Sequence, residues 1–126
     1  MITRHLNHQY GPLIIRLFVG IIMLVQHGLP KLIDYNSKKN VFPDPLGISS
    51  ELSLALVVFA EVICSVFIIL GLKTRLSSIP LLITMAIAAF IVHAGDPWSK
   101  QELPVIYLTC YASLIFTGGG AFTLKD

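Results

Sequence analysis

Long apolar runs, broken by short polar stretches, set the pattern of this chain. The first extends from Pro12 to Leu32, with Arg16, His27 and Lys31 set into it. About 20 residues at ~1.5 Å rise cover a ~30 Å hydrocarbon core, so a run of this length is read as a membrane span. The pattern predicts helices over residues 12–33, 50–71, 76–93 and 101–117. Their ends carry suitable residues. Pro12 suits a first helical position, Ser49 or Ser50 can cap the second helix with Glu51 in its first turn, and Gly71 can terminate it. Ser77 or Ser78 precedes Pro80 in the third, and Gly118-Gly119-Gly120 ends the fourth. Pro30 implies a kink or an early stop before Lys31. Ser99 to Glu102 reads as a capping box, but Pro104 moves the expected start of the fourth helix toward Leu103 or Pro104 and frees Glu102. The expected fold is all-α: one domain, a bundle of four transmembrane helices.

The connections add detail. Residues 34–49 form a loop of about 16 residues, long for a compact domain. Its Phe42-Pro43-Asp44-Pro45-Leu46-Gly47 segment is stiffened by two prolines and reads either as a lid across the mouth of the bundle or as an interfacial turn. Trp98, after the Gly95-Asp96-Pro97 turn, stands where an interface aromatic would. Four spans place both termini on one side. Lys73 and Arg75, in the shortest loop, favour termini inside by the positive-inside bias.

Composition narrows the class. Of 126 residues, 55% are hydrophobic and 13% charged, against roughly 25% charged in soluble domains; the expected surroundings are a lipid bilayer. A net charge of +2 without clustered cations gives no nucleic-acid face. Cys64 and Cys110 lie inside apolar runs with no CxxC spacing, which reads as buried free thiols rather than a redox or metal pair. Arg16, the length of the first run and the lack of a small-residue cleavage site argue against a signal peptide.

The ionisable residues inside the runs carry the chemistry, because charges in membrane helices mark sites or pairings. On an ideal helix Arg16, Gly20 and His27 share one face, with Met23 and Lys31 near its edges. Glu61 falls near mid-membrane and needs a partner; Arg16 is the nearest helical cation, so an Arg16–Glu61 link, catalytic or purely structural, is expected. His27, Lys31, Glu51, His93, Asp96 and Glu102 gather at the other end of the bundle. Glu61, His27 and His93 are the candidates for proton handling, and Arg16, Lys31, Glu102, Tyr107 and Tyr111 the candidates for substrate contact. No HxxxH or ExxH spacing supports a metal site. His5 and His8 belong to the polar N-terminal arm. Gly28 lets a ligand or a neighbouring helix come close to His27. Tyr107 and Tyr111 form an aromatic edge that suits a planar redox molecule such as a quinone, among many ligands; Phe59, Phe67, Phe90 and Phe116 read as packing or lipid contact.

Taken together, Arg16-x3-Gly20, His27-Gly28-x2-Lys31, Glu61, Leu70-Gly71-x2-Thr74-Arg75, His93 and Gly118-Gly119-Gly120 resemble the DoxX family of small four-helix membrane proteins. The resemblance implies a bacterial inner-membrane location. It also implies kinship with the small subunits of thiosulfate:quinone oxidoreductase and with membrane oxidoreductase complexes that handle thiol stress. A related pattern with paired cysteines is absent here, which speaks against direct disulfide exchange.

Three functions follow as expectations. The first is a redox-associated membrane subunit, working with a partner oxidoreductase because no motif for haem, flavin or an iron–sulfur cluster is present. The second is a transport element for a small solute or proton, which would need homo-oligomerisation to make a pore. The third is a non-catalytic accessory subunit whose buried charges only pair helices. The division of labour expected within the site is specific. His27, His93 and Glu102 work under the Phe42-to-Gly47 loop, while Arg16 serves Glu61.

Overall fold

The computed structural model describes residues 8–126; His5, assigned above to the N-terminal arm, lies outside them. Every regular element among the described residues is helical, and the one β feature is an isolated parallel bridge between Leu72 and Lys125. The described residues form five helices: α1 (Tyr10–Ile33), a short α2 (Tyr35–Lys38), α3 (Ser50–Leu70), α4 (Thr74–Val92) and α5 (Trp98–Thr117). By length and apolar composition α1, α3 and α4 can each cross a membrane. α5 has 20 residues, but its first turns hold Lys100, Gln101 and Glu102.

Each of the three spans contains a π-helical segment: Met23–Gly28 in α1, Phe59–Cys64 in α3 and Ala88–Val92 at the end of α4. A π turn inserts an extra residue and so rotates everything beyond it, and such turns concentrate at functional sites. Its effect on α1 is visible. The buried line is Arg16, Gly20, Met23 and Gly28, whereas an ideal helix would have carried it to His27. Because the wide turn precedes Pro30, α1 continues through that proline to Ile33 rather than stopping.

α5 likewise starts at Trp98, not near Pro104. The carbonyl that Pro104 leaves without an N–H partner is that of Lys100, an exposed residue, where water can satisfy it.

α1 packs on α3 and α5, and α4 packs on α3 and α5. The apolar core consists of Met23 of α1; Ala60, Cys64 and Ile68 of α3; Leu81 and Met85 of α4; and Tyr107, Tyr111 and Leu114 of α5. Cys64 and Cys110 are free thiols.

One end of the molecule is closed by the C-terminal segment after Thr117. Its backbone bonds to all the neighbouring connections: Ala121 N–H to the Gln9 carbonyl at 3.0 Å, Leu124 N–H to Leu70 at 3.1 Å, Lys125 N–H to Gly71 at 3.1 Å, and Lys73 N–H to Lys125 at 2.8 Å. Gly71, at φ +71°, is fixed by this closure. A Cβ there would stand 2.6 Å from the Thr123 Cα and 2.7 Å from an Arg16 nitrogen.

Candidate functional site

The polar centre forms where α1 and α3 come closest. A Cβ on Gly28 would lie 2.6 Å from the Glu61 carbonyl oxygen, so only glycine lets the two backbones meet there. One turn further on, Lys31 reaches across, and its Nζ donates to Glu61 Oε1 at 2.6 Å. The Glu61 side chain is 4% exposed and that of Lys31 21%. The long lysine stem thus carries its charge to a carboxylate that is otherwise enclosed.

This pair replaces the expected Arg16–Glu61 link. Arg16 sits beside Ile68 and Ile69, seven or more residues of α3 and about 10 Å from Glu61. All five of its N–H donors are spent on backbone carbonyls. Nε donates to Ile68 at 2.9 Å; one terminal nitrogen to Gly119 at 2.8 Å and Ala121 at 2.7 Å; the other to Ile69 at 3.2 Å and Phe122 at 3.1 Å. The Ile68 and Ile69 carbonyls are orphans at the end of α3. Arg16 therefore caps that helix and binds the C-terminal segment to it. Asp126 completes the closure, accepting from Thr74 N–H at 2.9 Å and Gly119 N–H at 2.7 Å. Burial would raise its carboxyl, but the bonds from Thr74 and Gly119 and the charge of Arg16 outweigh that and hold it below the ordinary range.

At the opposite end α3 and α4 diverge around a cavity of about 560 Å³, within the range of small-molecule sites. Its walls are apolar apart from a few groups: Lys31 and Glu61 on one side, Ser53 and Thr84, and His93. Phe42, Pro43, Pro45 and Leu46 roof it. Asp44 pins that roof to the start of α3, accepting from Ile48 N–H at 2.9 Å, Ser49 N–H at 2.9 Å and the Ser53 hydroxyl at 3.0 Å. Desolvation works against ionisation, yet the bonds from Ser49, Ile48, Ser53 and Gly47 prevail and keep the Asp44 carboxyl below its usual range. Ser49 itself caps α3, accepting from Leu52 N–H at 3.1 Å.

The remaining expected residues divide between two places. His93 lines the cavity, with Nδ1 2.7 Å from Asp96 Oδ2. His27 is elsewhere: its ring meets Tyr107 edge to face at 5.5 Å and 85°, and Tyr107 stacks on Tyr111 at 6.3 Å and 14°. Both tyrosines are buried in the interior, within electrostatic reach of Glu61, and neither lines the cavity. The aromatic walls of the cavity are Phe42 and Phe59 instead. Glu102 is exposed and contributes neither to the cavity nor to the ion pair. Among the described residues no group of three or more His, Cys, Asp or Glu is placed to hold a metal ion.

Comparison with known proteins covers the same ground. The model of the DoxX family matches residues 11–94, two thirds of the chain. The chain belongs to the DoxX family. No curated protein and no solved structure matches it. The stretch shared with DoxX carries Arg16, Gly28, Lys31, Glu61 and His93, hence the ion pair and every cavity wall; Glu102, Tyr107 and Tyr111 lie beyond it.

Two carboxylates of this DoxX protein were not anticipated: Asp44 and Asp126. Asp44 had a signal, since it sits between prolines just ahead of a serine cap, where an aspartate commonly accepts from the following amides. Asp126 had none. Its donors are backbone amides, and one of them, Thr74 N–H, lies 52 residues away in the sequence.

Proposed function

We propose that this DoxX protein is a four-span subunit of the bacterial inner membrane, with both termini in the cytoplasm, that presents a quinone-type ligand to a partner oxidoreductase. The observation that carries this reading is the apolar cavity with the Lys31–Glu61 pair in its wall. A planar ring bearing two carbonyl oxygens fits between Phe42 and Phe59. Lys31 can donate to one oxygen, and Glu61 and His93 are the groups placed to exchange protons with the ring. The sequence carries no motif for haem, flavin or an iron–sulfur cluster, so in this reading the two electrons of a quinone–quinol change come from the partner.

Binding of a quinone to the protein in lipid nanodiscs tests this. Wild type should bind, and Glu61→Gln, which keeps the shape but loses the charge, should weaken binding about tenfold while the fold persists. A wild-type protein that takes up no quinone would refute the reading.

A second reading, a non-catalytic accessory subunit, draws on the fact that Arg16 and Glu61 each find their partners within the chain. It predicts that Glu61→Gln leaves assembly with an oxidoreductase and the activity of that complex unchanged. A transport element has less support, because Met23, Leu81 and Tyr111 pack fully buried in the interior of a single copy.

A further inference from the structure

We infer that the cavity is entered sideways from the bilayer, through the gap between α3 and α4 bounded by Leu56, Phe59 and Ile83. Its occupant is then a tailed lipophile whose hydrocarbon chain remains in that gap. This rests on the reading of the cavity as a quinone-type site and specifies how such a ligand reaches it.

Three features point to the gap. Leu56, Phe59 and Ile83 each line the cavity, yet are 52%, 47% and 51% exposed; they face the interior and the surroundings at once, as the rim of an opening must. Deeper in the same cavity Ala60, Glu61 and Met85 are buried, so the opening leads inward to the ion pair. Ala60 and Ala88, both in the lining, keep the space between the two helices hollow.

Depth supports the same route. Leu56 and Phe59 lie six and nine residues into α3, and Ile83 nine residues before the end of α4. That is about 9–14 Å from the helix ends, inside the hydrocarbon rather than at the headgroups. Toward the polar end the cavity is bordered by Phe42, Pro43, Pro45 and Leu46, a segment stiffened by its prolines and held to α3 through Asp44. Leu46 is itself 56% exposed, so depth rather than exposure singles out the α3–α4 gap. A head that reaches Lys31 has its tail pointing away from the polar wall. The α3–α4 gap is an exit that keeps such a tail out of water.

The test uses the protein in nanodiscs with two quinones that share a ring: one with a long polyprenyl tail dissolved in the bilayer, one tail-less and water-soluble. Ile83→Trp narrows the opening and leaves Lys31, Glu61 and His93 in place. Exchange of the tailed quinone should slow at least tenfold, while affinity for the tail-less one stays within about twofold. Leu56→Trp narrows the opening from the other helix and should reproduce the effect, which keeps the test intact if one variant misfolds by circular dichroism. Asp44→Ala, which unpins the roof and with it the Phe42 wall, should affect the tailed and the tail-less quinone alike. Wild-type exchange of the tailed quinone in both folded tryptophan variants would overturn lateral entry while leaving the site itself standing. A wild-type protein that binds neither quinone would overturn both.

Discussion

Replacing Arg16 tests the account of the closed end. In Arg16→Met the apolar volume is largely kept and five donors vanish together. The bonds to Ile68 and Gly119 are fully buried; each carbonyl left there without a partner costs about 1–3 kcal/mol. The Ala121, Ile69 and Phe122 carbonyls are only partly buried and can rehydrate once the segment lifts, so they add little. The expected loss is therefore about 2–6 kcal/mol. Arg16→Lys keeps the charge but has three donors, not five, and should lose roughly half as much. Stability would be followed by detergent-induced unfolding, and attachment of the C-terminal segment by limited proteolysis after Thr117. If Arg16→Met cost less than about 1 kcal/mol and the segment stayed protected, the five-bond description of Arg16 would be wrong.

Three further outcomes follow from the geometry. Gly28→Ala sets a methyl against the Glu61 carbonyl, which as backbone cannot yield, and should cost about 1–3 kcal/mol and weaken quinone binding by parting Lys31 from Glu61; a fully stable variant with unchanged binding would contradict the close approach. Asp44 has a depressed carboxyl, so its hold on the roof is complete above the ordinary aspartate range, near pH ~3.9, and is lost as pH falls through its lower folded value. Hydrogen exchange at the Ile48 and Ser49 amides, corrected for its intrinsic pH dependence, should accelerate only in acid, and in Asp44→Asn should be fast at neutral pH as well. Tyr111→Phe removes a buried hydroxyl that has no hydrogen-bond partner, so thermal unfolding should change by less than about 1 kcal/mol; a loss above about 2 would reveal a bound partner such as water.

How much of this could be read from the residues depends on what kind of contact decided it. Apolar runs and caps carry the helices, since hydrophobic length and local hydrogen bonding act within a few residues. Gly28 was legible for the same reason: a missing side chain beside ionisable residues on one helix invites a close neighbour. The partner of Glu61 was not. Depth alone favoured Arg16, but a guanidinium prefers the richest set of acceptors, and those were backbone carbonyls at the end of α3 and in the C-terminal segment, which leave no mark in a side-chain pattern. The π turns explain another miss. An ideal helical wheel puts His27 in line with Arg16 and Gly20, and the inserted residue moves Gly28 into that line and swings His27 toward Tyr107. Tyr107 and Tyr111 have the spacing of a wall, yet they turned to the interior because α5 packs along α4 and leaves the cavity to α3, α4 and the roof.

The Arg16 closure also bears on how the chain is made. Arg16 is synthesised 52 residues before its α3 acceptor and 103 before Gly119. At ~5–20 residues per second roughly 5–20 s separate the guanidinium from its last partners. Throughout that interval α1 must hold in its second turn a cation that lacks its full set of acceptors, drawn toward the headgroups. Insertion and maturation thus become separate events: a nascent protein stalled after α5 would leave Arg16 without its Gly119, Ala121 and Phe122 acceptors.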